Sequence, residues 1–195
     1  MAISGPGYFV LATKPEPTAL EDLFFTRDGH FKVVKDTSTA NGVPMARLRH
    51  ADHDTFYVVG YAHAGAGTGA PDETSGISEA VLATTWYGAA TRAAALSLDA
   101  DRNPDATTKL SFDATGALRV AGLAPRGADG NPMQAYVGLA QFERPDDLVT
   151  VPGFSGFLRY SPNAGRLFLG VAFTGTARPV GTANLIRTGT LEGGN

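Results

Sequence analysis

The sequence predicts a mainly β fold of many short strands and long loops, and three observations lead there. Glycine and proline are abundant, 24 and 12 of 195 residues, and they punctuate the whole chain instead of gathering in one tail. Breakers spread in this way cut a chain into short segments joined by turns. Apolar residues alternate with polar ones in several of the segments, which is the period of a half-buried strand. Long helices are not expected in a chain so evenly punctuated.

The first predicted strand is Tyr8-Phe9-Val10-Leu11, opened by Gly5-Pro6-Gly7 and closed by the loop that holds Pro15 and Pro17. A β-type apolar run bounded by breakers is expected to be buried. Leu23 to Arg27 and His30 to Val34 flank Asp28-Gly29, and two β-rich runs around Asp-Gly predict a hairpin. Thr37 to Pro44 reads as a polar turn region. Met45 to Arg49 and Thr55 to Tyr61 then predict a second hairpin around His50-Ala51-Asp52-His53-Asp54.

Ala62 to Gly76 is a small-residue, glycine-rich loop. Ala80 to Tyr87 leans to strand through Thr84-Thr85-Trp86-Tyr87, and periodicity leaves Ala89 to Leu98 unassigned. Leu110 and Phe112, then Leu118 and Val120, alternate around Asp113 to Gly116 and predict a further hairpin. Met133 to Phe142 reads as a strand and Arg144 to Leu148 as a single helical turn. Gly156 to Tyr160, Leu167 to Phe173 and Leu185 to Gly189 read as short extended pieces.

A composition of 43% hydrophobic and 18% charged residues describes a globular chain. Its length suits one large domain, or one domain with a small insertion. With a net charge of −3 and no basic stripe interleaved with aromatics, no nucleic-acid partner is expected. The absence of cysteine excludes disulfides, thiolate chemistry and cysteine-ligated zinc. No apolar run approaches the roughly 18 residues of a membrane span, and the first residues lack a basic and then apolar leader, so neither membrane insertion nor a cleaved signal is expected.

Residues that bear chemistry are few. His50, Asp52, His53 and Asp54 form the one concentration of metal-type ligands, and imidazole with carboxylate can hold a divalent cation. Their place at a hairpin tip favours a solvated polar turn instead. His30 and His63 carry no partner by spacing. Gly153-Phe154-Ser155-Gly156 misses the spacing of a nucleophile elbow, and Gly65-x-Gly67-x-Gly69 misses that of a phosphate cradle. Asp99, Asp101, Asn103 and Asp105 alternate like a calcium loop but lack its sixth-position glycine and terminal glutamate. No pair of carboxylates is singled out for glycoside hydrolysis. No enzymatic activity, cofactor, metal or small-molecule substrate is expected.

Four blocks stand out in order along the chain. Gly5, Gly7, Tyr8, Phe9 and Val10 make Gly-x-Gly-aromatic-Phe-Val, and Phe25, Thr26, Arg27, Gly29 and Phe31 make aromatic-Thr-Arg-x-Gly-x-Phe. Later, Leu139, Ala140, Phe142, Pro145 and Leu148 make Leu-Ala-x-Phe-x-x-Pro-x-x-Leu, and Gly189, Leu191 and Glu192 make Gly-x-Leu-Glu. Together these blocks resemble one family, the bacterial flagellar hook and basal-body rod proteins, which includes the hook subunit and the proximal and distal rod subunits. The chain departs from the pattern in two places. Lys35 to His53 intervenes where the family moves quickly to Asp-Gly-x-Leu-Val, so an extra hairpin is expected there. Gly193-Gly194-Asn195 stands where Ser-Asn is usual.

The resemblance implies a discontinuous core of residues 1–61 and 134–195, with 62–133 as a central portion or small inserted subdomain. It implies a structural subunit that joins its own copies and neighbouring axial proteins head-to-tail into a tube. Type III export to the flagellum, as hook or basal body, is implied with it. Family members add amphipathic terminal helices outside such a core, so the stretch here is expected to be the soluble core, monomeric by itself. The short middle favours a rod-like or minimal hook subunit. Arg27 is the motif residue that a turn alone does not require, and its forked guanidinium suits a carboxylate on a neighbouring subunit. The competing expectation is a β-rich extracellular binding module or adhesin that displays Trp86 and Tyr87.

Overall fold

The computed structural model describes residues 2–4, 7–14, 17, 19–40, 43–64, 94–95, 97–99, 109–112, 117–120, 122, 133–165, 167–171 and 185–187. Fifteen strands are found among them. The first six are β1 (Ala2–Ser4), β2 (Tyr8–Ala12), β3 (Leu23–Thr26), β4 (Phe31–Ala40), β5 (Val43–His50) and β6 (Tyr57–Ala64). Four short ones follow, β7 (Ala94–Ala95), β8 (Ser97–Asp99), β9 (Leu110–Phe112) and β10 (Leu118–Val120). The last five are β11 (Met133–Phe142), β12 (Val149–Val151), β13 (Phe154–Arg159), β14 (Leu167–Val171) and β15 (Leu185–Arg187). Among the described residues the helical pieces are single 3-10 turns at Leu20–Asp22, Pro145–Asp147 and Pro162–Ala164. The protein is mainly β.

One curled antiparallel sheet dominates, in the order β12-β13-β3-β2-β11-β6-β5-β4, with β14 added on β11, β7 on β6 and β8 on β5. The curl comes from β2. Phe9 to Ala12 pair with Thr26 to Leu23 along one edge of β2. Along the other edge Tyr8 and Phe9 pair with Ala140 and Leu139 of β11, while Leu11 and Ala12 pair with Val58 and Tyr57 of β6. Strands β6 and β11 are themselves paired from Gly60↔Val137 to Ala64↔Met133 and part where β2 enters between them. Two smaller pairings stand beside this sheet, β1 with β15 and β9 with β10.

Alternation in the sequence sorts the core into two layers, one on each face of β2. Phe9 and Leu11 join Val33, Leu48, Phe56, Val58, Leu118, Val137, Leu139 and Phe157. Val10 and Ala12 join Leu23, Phe25, Val59, Ala117, Ala140, Phe142 and Leu167. A strand buried on both faces reads as a continuous apolar run, and Phe9-Val10-Leu11-Ala12 is one, each residue fully buried. In β11 the same period sends Val137 and Leu139 to the first layer and Ala140 and Phe142 to the second.

The structure corrects the first hairpin. Strands β3 and β4 exist, but β3 pairs with β2 and β13, and β4 pairs with β5. Both edges of β3 are occupied, so nothing is left for β4. A two-residue Asp-Gly hairpin would need positive φ at both turn residues, and Gly29 is not among the described glycines with positive φ. Asp28-Gly29 is a corner held by side chains. Thr26 Oγ1 accepts the Asp28 N–H at 3.1 Å, and Asp28 Oδ1 accepts the His30 N–H at 2.9 Å.

Thr37 to Pro44, read as a polar turn, is largely strand. Strand β4 runs to Ala40 and β5 starts at Val43, with an irregularity between Lys35 and Thr39. This β4–β5 hairpin occupies the segment where the chain departs from the family pattern. The hairpin expected between β5 and β6 closes only at its base, through Arg49↔Tyr57 and the bond from His50 N–H to the Phe56 carbonyl. The expected pairing of β9 with β10 is found, in the register Leu118↔Phe112 to Val120↔Leu110. The glycine-rich loop beyond Ala64 and the strand expected at Ala80 to Tyr87 lie outside the described residues.

Candidate functional site

The motif residues interlock across the chain. Phe9 is fully buried and its ring meets that of Phe31 edge-on at 4.9 Å, so the first block packs on the second. Thr26 is buried and sits opposite Phe9 in the β2–β3 register. Gly7 and Gly29 are buried as well. Phe142, from the third block, meets Phe25 edge-on at 4.8 Å and Tyr8 at 5.8 Å. Pro145 then opens a 3-10 turn, whose missing N–H costs nothing at a first turn, and Leu148 packs half-buried against the second layer. Gly5, Gly189, Leu191 and Glu192 lie outside the described residues.

Arg27 reaches back to the start of the chain. Its Nη1 donates to the Gly7 carbonyl at 3.0 Å and its Nη2 to the Ile3 carbonyl at 3.4 Å, while the guanidinium lies 6.0 Å from the Tyr8 ring. Two carbonyls that flank Gly5-Pro6 are thus held by one planar fork, which a single ammonium could not reproduce. Through these two donors the guanidinium binds its own chain. It also depresses the Tyr8 phenol, though burial outweighs it and the pKa of Tyr8 is raised.

The second cluster joins two corners that the sequence sets more than 20 residues apart. Register pairing of Phe31 with His50 brings Asp28 and His30 beside His50 and Asp52, and the Ala51 N–H donates to the His30 carbonyl at 2.7 Å. His50 is 1% exposed, so the solvated turn expected here does not hold for it. Its Nε2–H donates to Asp28 Oδ2 at 3.2 Å, and its Nδ1 accepts the Asp52 backbone N–H at 3.3 Å. His30 Nδ1 faces Asp52 Oδ2 at 3.3 Å. The His53 ring stacks on His50 at 5.3 Å and meets Phe154 and Phe157 at 5.2 Å each. Asp54 leaves the cluster for Lys32.

Asp28, His50 and Asp52 present ligand atoms within 4.8 Å of one another. The hydrogen bonds, however, fix His50 as the neutral Nε2–H tautomer. Nε2 carries a proton toward Asp28, and the Nδ1 lone pair is taken by a backbone N–H. A metal on Nε2 would force a proton onto Nδ1, against the Asp52 N–H. The arrangement is a hydrogen-bonded staple between the two corners. Asp28 is the member that sequence reading missed, although the Asp-x-His and His-x-Asp spacings at the two corners carried the signal.

Other candidates acquire plain roles. Gly153 follows Pro152 in the tight β12–β13 turn with φ +82°, as a type II turn requires, so Gly153 to Gly156 forms a strand turn and no nucleophile elbow. A shallow cavity of about 290 Å³ is lined by Leu20, Glu21, Arg159, Tyr160 and Pro162. Arg159 there is already committed, since it donates to the Glu21 carbonyl at 3.0 Å and covers the Phe24 ring. The side chains of His63 and Asp99, and Asp101, Asn103 and Asp105 as a whole, lie outside the described residues. Comparison with protein-family models, with curated proteins and with solved structures gave no match.

Proposed function

We propose that this chain is a structural subunit of the bacterial flagellar axial structure, a hook or rod protein that assembles head-to-tail with its own copies and with neighbouring axial proteins. The observation that carries this reading is where the motif residues meet. The blocks that resemble the hook and rod family sit far apart in sequence, yet Arg27 grips the carbonyls of Ile3 and Gly7, Phe31 packs on Phe9, and Phe142 packs on Tyr8 and Phe25. A motif spread over the chain keeps its sense when its parts support one another, and these do. Strand pairings run the same way, since β2 joins β11, β3 joins β13 and β1 joins β15.

Such a core suits a building block. Its described polar clusters are consumed by internal bonds, so its work falls to surfaces and to repetition. Heterologous contacts that do not close generate tubes from individually small interfaces. Export to the flagellum and the absence of any small-molecule substrate belong to the same reading. The test is to purify hook–basal bodies from the source bacterium and to quantify this chain in them by mass spectrometry. Enrichment alongside the other axial proteins is expected. Its absence from them, with the chain recovered elsewhere on the cell, would replace this reading with that of an extracellular binding module.

A further inference from the structure

Three of the four histidines of the chain gather at one end of the β4–β5 pair with two aspartates, and the most buried of them is the hinge of the group. We infer that the Asp28–His50–Asp52 cluster is a proton-operated latch, which orders the 50–54 turn while His50 is neutral and loosens it when His50 is protonated, the bond to Asp28 holding throughout. Both bonds of His50 are spent on tying backbone segments together. The Nε2–H grips Asp28 on the corner after β3, and Nδ1 receives the Asp52 N–H of the turn after β5.

A proton can enter this ring only at Nδ1. It arrives opposite the Asp52 N–H, so an acceptor becomes a donor that faces a donor, and the bond that orders the turn is lost. The charge is also poorly placed. His50 is buried against the uncharged rings of Phe31 from β4 and Phe157 from β13, and His53 stacks on it at 5.3 Å. The charged and titratable groups around it are Asp28 from the corner and Asp52 and His53 from its own turn, with His30 behind Asp52. Farther along the same turn Arg49 holds the Asp54 carbonyl and Lys32 the Asp54 carboxylate. Burial lowers the His50 pKa more than the Asp28 carboxylate raises it, which agrees with a neutral resting state. Loosening of the turn would uncover the Phe56, Phe154 and Phe157 rings, which the turn covers through His53.

The reporter is the Asp52 amide, followed by hydrogen exchange corrected for the intrinsic pH effect, with 15N-histidine spectra that identify the tautomer. The expected result is the Nε2–H tautomer of His50 at about pH 7.5. Protection of the Asp52 amide should then fall by roughly tenfold per pH unit once His50 begins to titrate, well before the core amides of β2 lose theirs. Asp28→Asn keeps an amide oxygen that can accept the His50 Nε2–H but removes the carboxylate charge that favours the cation, so it should move the transition to lower pH. His50→Gln should abolish it, and His53→Asn should keep it. The inference fails if Asp52 protection is flat over this range, if Asp28→Asn leaves the transition in place, or if His53→Asn removes it. It also fails if zinc added at about pH 8 shifts the His50 ring nitrogens, which would make the cluster a metal centre.

Discussion

Arg27 and His50 do similar work, since each ties backbone segments that the chain brings from a distance. Arg27 donates to the carbonyls of Gly7 and Ile3. Hydrogen bonds to a charged donor contribute about 1.5–3 kcal/mol each when partly shielded from water. Arg27→Ala is therefore expected to lower stability by about 2–3 kcal/mol, read as a lower urea midpoint. Arg27→Lys should recover less than half of that, because an ammonium cannot bridge both carbonyls; full recovery would show that charge alone matters. For His50 the sign of the pH effect follows from its lowered pKa. The unfolded state binds the proton more readily, so the stabilisation is complete above about pH 6.5 and is lost as pH falls through the lower folded value. The urea midpoint should drop on acidification from about pH 7.5 to 5.5, and the drop should be smaller in His50→Gln. Equal drops would locate the acid sensitivity elsewhere.

Strand β2 is the element on which the fold turns, because it is buried on both faces. Val10→Ala and Leu11→Ala point to opposite layers, yet each is expected to cost about 1.5–4 kcal/mol. In a strand with one wet face, one of two neighbouring positions would cost less than about 0.5 kcal/mol; that outcome would contradict the two-layer core. The tight turns make a second comparison. Gly165 has φ +73°, and a Cβ there would lie 2.5 Å from Glu143 Oε2, whereas Gly153 has φ +82° and open space. Gly165→Ala should therefore destabilise more than Gly153→Ala, and both by roughly 1 kcal/mol or more, as thermal melts would show. Much of this level was legible in the sequence. The run Tyr8 to Leu11, the strand Met133 to Phe142 and the hairpin around 113–116 each carry their own period and breakers. Pairing partners were not, and Asp28-Gly29 shows why. Local turn chemistry proposes a hairpin, but β13 arrives from more than 100 residues away and takes the edge of β3. Strand β12 was missed because Val149-Thr150-Val151 is short and largely exposed.

At the scale of the molecule, the two ends of the chain are woven into one sheet. Strands β2 and β3 from the first 26 residues share it with β11, β13 and β14 from beyond residue 132, and β1 meets β15. No local pattern dictates such closure, because the pairing partners lie more than 100 residues apart. The candidate cluster was half legible. His50, Asp52 and His53 stood out by residue type, but the burial of His50 and the arrival of Asp28 depend on the β4–β5 register, which no short-range signal sets. A chain closed in this way should unfold in one transition. Hydrogen-exchange protection of the β2 amides and the far-ultraviolet signal of the whole sheet are expected to share one urea midpoint, and separate midpoints would mean that parts of the sheet unfold apart. The central claim remains that the molecule is an axial building block. Its most direct test is electron microscopy of cells that lack the gene for this chain, beside cells in which the gene is restored. Missing hooks, or basal bodies arrested at the rod, and recovery on restoration are the expected result; normal, motile flagella without the gene would contradict it.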